Sequence, residues 1–269
     1  IANIEADTPI PNVSHYAFRS FDRRFAILDN RLGDRMRPDL HRSYGGQQIF
    51  LTSFLTEVFG HGPAAVVTAL IPDKHHFRGS FGGAHVIPLW RDAAATQPNI
   101  TRGLLEFLSR RYGQPVGAGD LFAYAYALLA TPDYVKTFWD ELALPGPRLP
   151  LTQDAALFAE GAALGRRLIC LHTYSERCVP PGEKPGRVPS GIARCQVGTP
   201  ADPADYPERF DYDPATQELR IGKGRFNPVR REVWNFSISG FEVVKSWLAY
   251  RMRDRSGKKS SPLDDIRPE

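Results

Sequence analysis

The sequence predicts an α+β fold in which a β-rich N-terminal lobe and a β-hairpin-containing C-terminal segment flank a helical middle. Three observations lead to this prediction. Short apolar runs bounded by Pro, Gly or Asp dominate the first 117 residues, helical apolar spacing marks residues 118–175, and a Gly-containing hairpin pattern follows. With 269 residues, the chain can bury a sizeable core as one large domain or two lobes.

The N-terminal lobe, residues 1–117, is predicted to begin with an extended lead-in over residues 1–20. Short strands then fit the apolar runs over residues 25–28, 48–52, 64–71 and 85–90. Between the last two runs lies a glycine-rich loop, residues 77–83, and a short amphipathic helix is predicted near residues 100–112.

The helical middle, residues 118–175, contains three candidate helix starts. Asp120 is placed to cap a helix over residues 122–129, and Thr131 precedes a proline in the order of an N-cap and a first helical position. Thr152 is placed to cap a third helix. Helical spacing predicts the buried face of that helix, which comprises Phe158, Ala162, Gly165 and Ile169.

The C-terminal segment, residues 176–269, starts with a Pro- and Gly-rich stretch that predicts a long loop over residues 180–207. A hairpin is predicted over residues 219–226 and a strand over residues 233–238. The run Ser239–Glu242 has the form of a capping box and predicts a helix that leads into a basic stretch.

Positive charge is concentrated near the C-terminus. The net charge is +4, from 34 basic and 30 acidic residues, yet residues 220–259 hold 11 basic and three acidic residues. The densest part is residues 245–259, where a single acid accompanies six basic residues. Such a density of mobile positive charge suits a polyanion such as a nucleic-acid backbone, although a solvated charged face is an equally valid interpretation.

Several other classes of protein are disfavoured. There is no apolar run of about 18 residues and no secretory leader pattern, and the chain has the look of a piece of a longer protein. Three cysteines without a short C-x-x-C spacing favour a reducing cytoplasm over a disulfide framework, and disfavour a zinc site. Phosphate-loop, serine-hydrolase, zinc-protease and nuclease motifs are absent, so no catalytic residue is predicted.

Four ordered blocks of sequence resemble one family. They are Ser20–Arg24 with Arg37–Leu40, Phe77–Gly83 with Ile87–Asp92, Phe122–Leu129 with Pro132–Tyr134, Pro147–Pro150 and Leu171–Tyr174, and Val244–Leu248 through Ser260–Ile266. Together they are similar to the C-terminal specificity region of Type ISP restriction-modification enzymes. These enzymes are single polypeptides that carry nuclease, helicase-like ATPase, N6-adenine methyltransferase and target-recognition parts.

The resemblance implies that the chain is one target-recognition region that binds duplex DNA, reads a short asymmetric site and presents adenine to the methyltransferase part. The expected partners are double-stranded DNA and the methyltransferase and helicase-like domains of the same polypeptide. No cofactor is expected in this region, whereas S-adenosylmethionine, ATP and magnesium are expected for the parent enzyme. The parent enzyme would methylate adenine and cleave DNA.

The candidate DNA-binding residues fall into two classes, phosphate contacts and base readers. Loop and hairpin positions with glycine neighbours suit base reading: Arg78, Ser80, Phe81, Lys223 and Arg225, with Arg91 added from the second block. Strand alternation predicts that Lys223 and Arg225 share one face of the hairpin, with Arg220 on the other. Phosphate contact suits the basic stretch, namely Lys245, Arg251, Arg253, Arg255, Lys258 and Lys259.

Two other functions remain open from the sequence. The chain could be an interaction or spacer domain whose helical middle docks other parts of the enzyme, or an independent enzyme with an unrecognised site. Binding to duplex DNA that weakens steeply with salt would favour the DNA-binding function over a spacer. A deep pocket with strongly perturbed titratable groups would favour an enzyme.

Overall fold

The computed structural model describes residues 13–29, 37–55, 59–77, 85–143, 146–202 and 204–253. The chain forms two compact units, the first made of residues 1–188 with 238–240 and the second of residues 189–237 with 241–269. Helices and sheets occur among the described residues of both units, which confirms the predicted α+β class. The three-part division at residues 117 and 175 rests on sequence pattern and stays a prediction.

The first unit contains a β-hairpin, a three-stranded antiparallel sheet and a short helix, α1 (Pro38–Ser43). The sheet has the order β4–β3–β5, and the strands are β1 (Val13–Arg19), β2 (Asp22–Ile27), β3 (Phe50–Ser53), β4 (Ala65–Thr68) and β5 (His85–Pro88). Every residue of β3 and β4 is buried, including the polar Thr52, Ser53 and Thr68, so neither strand alternates between buried and exposed residues. All four predicted strands of the lobe are present.

The helical middle of the first unit also matches its prediction, with boundaries shifted by a few residues. Its helices are α3 (Ala118–Leu129), α4 (Pro132–Thr137) and α5 (Ala155–His172), with a 3-10 turn at Glu141–Ala143. Before them, α2 (Leu104–Tyr112) is the helix predicted near residues 100–112 of the N-terminal lobe. Buried residues of α2, α3 and α5 form one apolar cluster around Leu108, Leu121 and Phe158. Helix α5 buries one stripe of side chains at helical spacing, whereas α3 buries residues around most of its circumference, including the consecutive Leu121–Tyr124.

Two of the predicted helix caps are wrong. The first residue of α3 is Ala118, so Asp120 is its third residue, and its Oδ2 accepts a hydrogen bond from the Gly117 N–H at 2.7 Å. The N-cap of α5 is Asp154, whose Oδ1 accepts from the Ala156 N–H at 2.7 Å, whereas Thr152 lies two residues earlier. In both cases the carboxylate satisfies an amide of the helix start that has no intrahelical partner.

Helix α5 packs closely against α3, and a glycine makes this possible. The predicted face of α5, Phe158, Ala162, Gly165 and Ile169, is buried as expected. A Cβ added at Gly165 would lie 1.8 Å from the carbonyl oxygen of Ala123, a distance that no real contact shows. The two helix backbones therefore touch at this position.

The second unit is built on a four-stranded antiparallel sheet with the order β6–β9–β8–β7. Its elements are β6 (Arg194–Val197), β7 (Phe210–Asp213), β8 (Glu218–Ile221), β9 (Gly224–Asn227), α6 (Arg231–Trp234), β11 (Phe241–Glu242) and α7 (Val243–Ala249). The two-residue strand β10 (Ser237–Ile238) pairs with β11, and its Ile238 is counted with the first unit. The predicted hairpin over residues 219–226 is β8–β9. The predicted loop over residues 180–207 contains the short strand β6.

The predicted strand over residues 233–238 and the predicted capping box are both wrong. Residues 231–234 form α6, and Ser239 with Gly240 forms the turn between β10 and β11. The Ser239 Oγ accepts a hydrogen bond from the Gly60 N–H at 2.8 Å, so it caps no helix. Helix α7 begins four residues later, at Val243, without a side-chain cap. A long-range partner thus takes the hydroxyl that the local pattern assigned to the helix.

One face of the four-stranded sheet packs against α7. Leu219 of β8, Val229 and Leu248 of α7 form a buried cluster. Apolar residues from the strands and helices surround it, namely Phe210, Tyr212, Ile221, Phe226, Trp234 and Val244. We call this the inner face of the sheet. Because side chains alternate along a strand, their neighbours must project from the opposite, outer face.

The close contact at Gly165 predicts opposite effects for two Gly→Ala substitutions in this helix pair. Gly165→Ala should lower the free energy of unfolding by roughly 1–3 kcal/mol, because the methyl group collides with backbone that cannot rotate away. Gly119→Ala in α3 has open space around it and should be neutral or stabilising by about 0.5–1 kcal/mol. Chemical denaturation of both variants checks this. Equal effects of the two substitutions would contradict close packing of α3 on α5.

Two histidines of the first unit, the buried His76 and the partly buried His172, predict a loss of stability in acid. Burial lowers the pKa of His76 to about 3, although the charge of Asp73 opposes the shift, and burial lowers the pKa of His172 to about 4. Both rings accept protons near pH 6.5 when the chain is unfolded. Below pH 6.5 the unfolded chain therefore binds more protons than the folded chain, and the free energy of unfolding decreases as the pH is lowered. The contribution of His172 to this decrease continues down to about pH 4, and that of His76 down to about pH 3.

Each histidine should contribute about 1.4 kcal/mol per pH unit to this slope. The His76 Nδ1 lies 2.8 Å from the Thr52 Oγ1, and the side chain of His76→Asn can occupy a similar position. Unfolding free energies measured between pH 4.5 and 8 should be flat above pH 7. The slope below pH 6.5 should be smaller in His76→Asn, and an unchanged slope would contradict the assignment to His76.

Candidate nucleic-acid interface

The outer face of the four-stranded sheet is defined by its strand register. Arg220 of β8 lies directly opposite Arg225 of β9 on one side and Asp211 of β7 on the other. Val197 of β6 lies directly opposite Arg225. Residues directly opposite each other in an antiparallel pair project from the same face, so these four side chains form one row across the outer face.

Charge changes sign along this row. At the β7 side stand Asp211 and Asp213. In the centre, the Arg220 Nε lies 2.6 Å from the Glu218 Oε1, and this hydrogen bond and charge raise the pKa of Arg220. At the β9–β6 side stand Arg225 and Arg194, both exposed. The outer face is therefore acidic at one edge, balanced in the middle and basic at the other edge.

Arg225 has an uncompensated charge among the described residues. Its side chain is exposed and makes no hydrogen bond or ion pair with any of them. Its direct cross-strand neighbour on β8 is another arginine, Arg220, which is itself paired with Glu218. Like charges directly opposite destabilise a sheet. An anion bound beside Arg225 would relieve this repulsion.

Arg194 joins Arg225 at the basic edge, and the sequence analysis missed it. Arg194 lies opposite Asn227, two residues along β9 from Arg225, so it shares the outer face. Its Nη1 donates to the Ala193 carbonyl at 3.0 Å. The only sequence signal was the four-residue run Arg194–Val197, which is too short to distinguish from the surrounding loop.

Strand β6 is an uncovered edge strand. All four of its residues are exposed, including those that point toward the inner face, so β6 extends beyond the apolar cluster. Its register against β9 shifts between Cys195 and Val197, which leaves Gln196 as the extra residue of a β-bulge. Among the described residues, no further strand pairs with its outer edge.

The structure corrects the predicted face of Lys223. Gly222 and Lys223 form the turn between β8 and β9, and Gly222 has a φ of +55°. Because the chain reverses there, Arg225 lies on the same face as Arg220, and not on the same face as Lys223 as predicted. The Lys223 Nζ lies 2.7 Å from the Asp205 Oδ1, so its charge has a partner.

The basic residues of α7 and its end form a second group, separate from Arg225. Lys245 forms an ion pair with Glu242 and lies 5.4 Å from the centre of the Trp234 ring. The Arg251 guanidinium lies 3.7 Å from the centre of the Trp247 ring. Arg253 is partly buried, and its N–H donates to the Pro207 carbonyl at 2.9 Å. Since α7 packs on the inner face, this group and Arg225 lie on opposite sides of the sheet.

The remaining candidates are dispersed. Arg91 is exposed in the first unit after β5, and its Nε donates to the Asn99 Oδ1 at 3.2 Å. Six others lie outside the described residues, namely Arg78, Ser80, Phe81, Arg255, Lys258 and Lys259. The structure therefore brings together Arg194, Arg220 and Arg225 on the outer face.

Other kinds of site find little support in the described part of the chain. No three His, Cys, Asp or Glu side chains gather there in an arrangement that could hold a metal ion. Its three cysteines are free thiols, and burial raises the pKa of Cys178. None of its helices is long and apolar enough to span a membrane.

Comparison with solved structures shows a shared fold. A structure of the ATP-dependent Type ISP restriction-modification enzyme LlaBIII bound to DNA matches with a TM-score of 0.66 and 12% identity, over 96% of this chain and 17% of that chain. A nuclease-deletion mutant of the Type ISP enzyme LlaGI with a DNA substrate mimic matches with a TM-score of 0.62 and 14% identity, over 95% and 18%. A cryo-EM structure of a DrdV–DNA complex matches with a TM-score of 0.62 and 18% identity, over 91% and 24%.

The chain spans about a fifth of the length of these solved proteins. No individual curated protein matches its sequence. The family comparison covers the whole chain, since the model described as the Type ISP C-terminal specificity domain matches residues 1–269. The sequence blocks, the α+β architecture and this match agree, and the chain belongs to the Type ISP C-terminal specificity domain family.

Proposed function

We propose that this chain binds double-stranded DNA and recognises a specific target sequence for a Type ISP restriction-modification enzyme. The observation that carries the proposal is the basic edge of the outer face, where Arg225 opposes Arg220 and has no counter-charge among the described residues. A phosphodiester backbone supplies the negative charge that this edge lacks. The family name and the DNA-bound state of the three solved relatives support the same function.

The proposal extends to the parent enzyme. We infer a polypeptide that methylates adenine N6 in its target and cleaves DNA, with S-adenosylmethionine, ATP and magnesium bound by its other domains. A cytoplasmic location, where such an enzyme would meet DNA, belongs to the same proposal. In this arrangement the present chain recognises the target sequence, and the other domains of the polypeptide methylate and cleave the DNA.

A docking or spacer role is the alternative. Exposed apolar side chains on the β1–β2 hairpin favour it, since Val13 is 61% exposed and Phe25 is 71% exposed. Val13 lies opposite Ile27 and His15 lies opposite Phe25, so these side chains share one face of the hairpin. Apolar surface of this kind suits contact with another protein segment. A chain that only docks would bind duplex DNA weakly and without sequence preference.

A salt titration of duplex binding tests the proposal. The logarithm of the binding constant should fall linearly with the logarithm of salt concentration, with a slope of about −0.9 for each phosphate contacted. Arg194→Ala should weaken binding to all sequences and reduce the slope by about 1. The matched control is Lys223→Ala, which removes the same formal charge from a residue already paired with Asp205.

Arg194→Ala should thus have the larger effect of the two. Equal effects would mean that net charge, and not contact at the basic edge, governs binding. No binding of the unaltered chain to any duplex at low salt would contradict the proposed function.

Removal of charge from the acidic edge should have the opposite effect. Asp211→Asn takes a negative charge from the row that ends at Arg225 and should strengthen duplex binding about two- to fivefold at low salt, with less gain at high salt. Glu160→Gln on the exposed face of α5 is a control with the same charge change. Fluorescence anisotropy with a labelled duplex measures both, and an equal gain in the two variants would contradict a local effect.

A further inference from the structure

We propose that Arg225 and Val197 form a base-reading pair that recognises a guanine beside a thymine in the major groove of DNA. This inference rests on the proposed function and specifies what the basic edge reads. Arg225 and Val197 lie directly opposite each other across β9 and β6. Arg225 is exposed, and Val197 is 44% exposed. An aliphatic side chain therefore lies beside a guanidinium that has no partner among the described residues, and this combination suits a ligand with both polar and apolar parts.

The major groove offers these two features on neighbouring bases. Guanine presents the N7 and O6 acceptors, which match the two parallel donors of an arginine side chain. Thymine presents its C5 methyl group, which an aliphatic side chain contacts. Cross-strand neighbours have Cβ atoms about 4.5–5.5 Å apart, and successive base pairs rise about 3.4 Å, so one pair of side chains can reach two adjacent base pairs.

The width of the sheet indicates that only β6 and β9 enter the major groove. Neighbouring strands lie about 4.8 Å apart, so the whole four-stranded sheet spans about 14 Å between its outer strands, more than the major-groove width of about 12 Å. The β6–β9 pair fits within that width. Strand β6 is exposed along its length, whereas Asp211 and Asp213 lie two strands from Arg225 and would stay outside the groove.

The β-bulge decides which residue accompanies Arg225. Without the extra residue, Gln196 would follow Cys195 in register and lie opposite Arg225. The bulge brings Val197 to that position instead. Bulges commonly re-aim a side chain in this way, and here the bulge places an aliphatic group beside the guanidinium.

Base analogues test the pair directly. The preferred site is first selected from a library of random duplexes with the unaltered 269-residue chain. Each guanine of that site is then replaced in turn by 7-deazaguanine, which lacks N7, and each thymine by deoxyuridine, which lacks the methyl group. We expect one guanine position to lose about 5- to 150-fold in affinity and an adjacent thymine to lose about fourfold.

The variants assign these losses to side chains. Arg225→Ala should abolish the sensitivity to 7-deazaguanine at that one position, and Val197→Ala should abolish the sensitivity to deoxyuridine at the neighbouring position alone. Arg225→Lys keeps the charge without the two parallel donors, so it should keep the salt dependence and lose most of the guanine preference. Both side chains are exposed, and unchanged thermal unfolding confirms that the variants are folded.

The outcomes separate this inference from the proposed function. If the unaltered chain selects a site and both alanine variants remain sensitive to the same analogues, the base-reading pair is overturned and DNA recognition stands. If the variants weaken binding to all duplexes equally, Arg225 is a backbone contact and the pair is again overturned. If the unaltered chain neither selects a sequence nor binds duplex at low salt, both proposals fail.

Discussion

The apolar contact between the four-stranded sheet and α7 is the constraint on which the second unit depends. Leu219, Val229 and Leu248 form its buried centre. Because successive strand residues point to opposite faces, burial of the inner face places Arg220 and Arg225 on the outer face. A slip of one residue in register would bury the arginines and expose the core. Apolar packing therefore sets the position of the charges.

The positions of these charges then determine what the outer face can bind. Arg194 and Arg225 lie near one edge, and Glu218 pairs with Arg220 in the centre of the sheet. The acids of β7 lie at the far edge, so a polyanion would be attracted to β6 and β9 and repelled from β7. The group on α7 lies on the other side of the sheet and has partners of its own in Glu242, Trp234 and Trp247. One straight duplex cannot lie flat on both faces of the sheet. The hairpin arginines and the basic residues of α7, which the sequence analysis assigned to the same DNA, therefore cannot both contact one straight duplex.

Local pattern predicted much of the fold. Periodicity placed α5 and its buried face, and the hairpin of β8 and β9 followed from its glycines. Two predicted caps failed for different reasons. Ser239 bonds to the distant Gly60 instead of capping α7, whereas at α5 the helix begins two residues later than predicted, so the neighbouring Asp154 is the cap instead of Thr152. Arg194 escaped notice because its strand has four residues and pairs with a distant segment.

The sequence by itself determined the α+β class, the helical middle, the concentration of positive charge and the resemblance to a Type ISP specificity region, because all four depend on composition, periodicity or ordered motifs. Only the tertiary structure decided which cations share a face. That choice depends on the register across the Gly222–Lys223 turn and on the pairing of β6 with β9, although β7 and β8 lie between them in the chain. Pairing between distant strands is set by packing of the whole sheet, and no local run of residues encodes it.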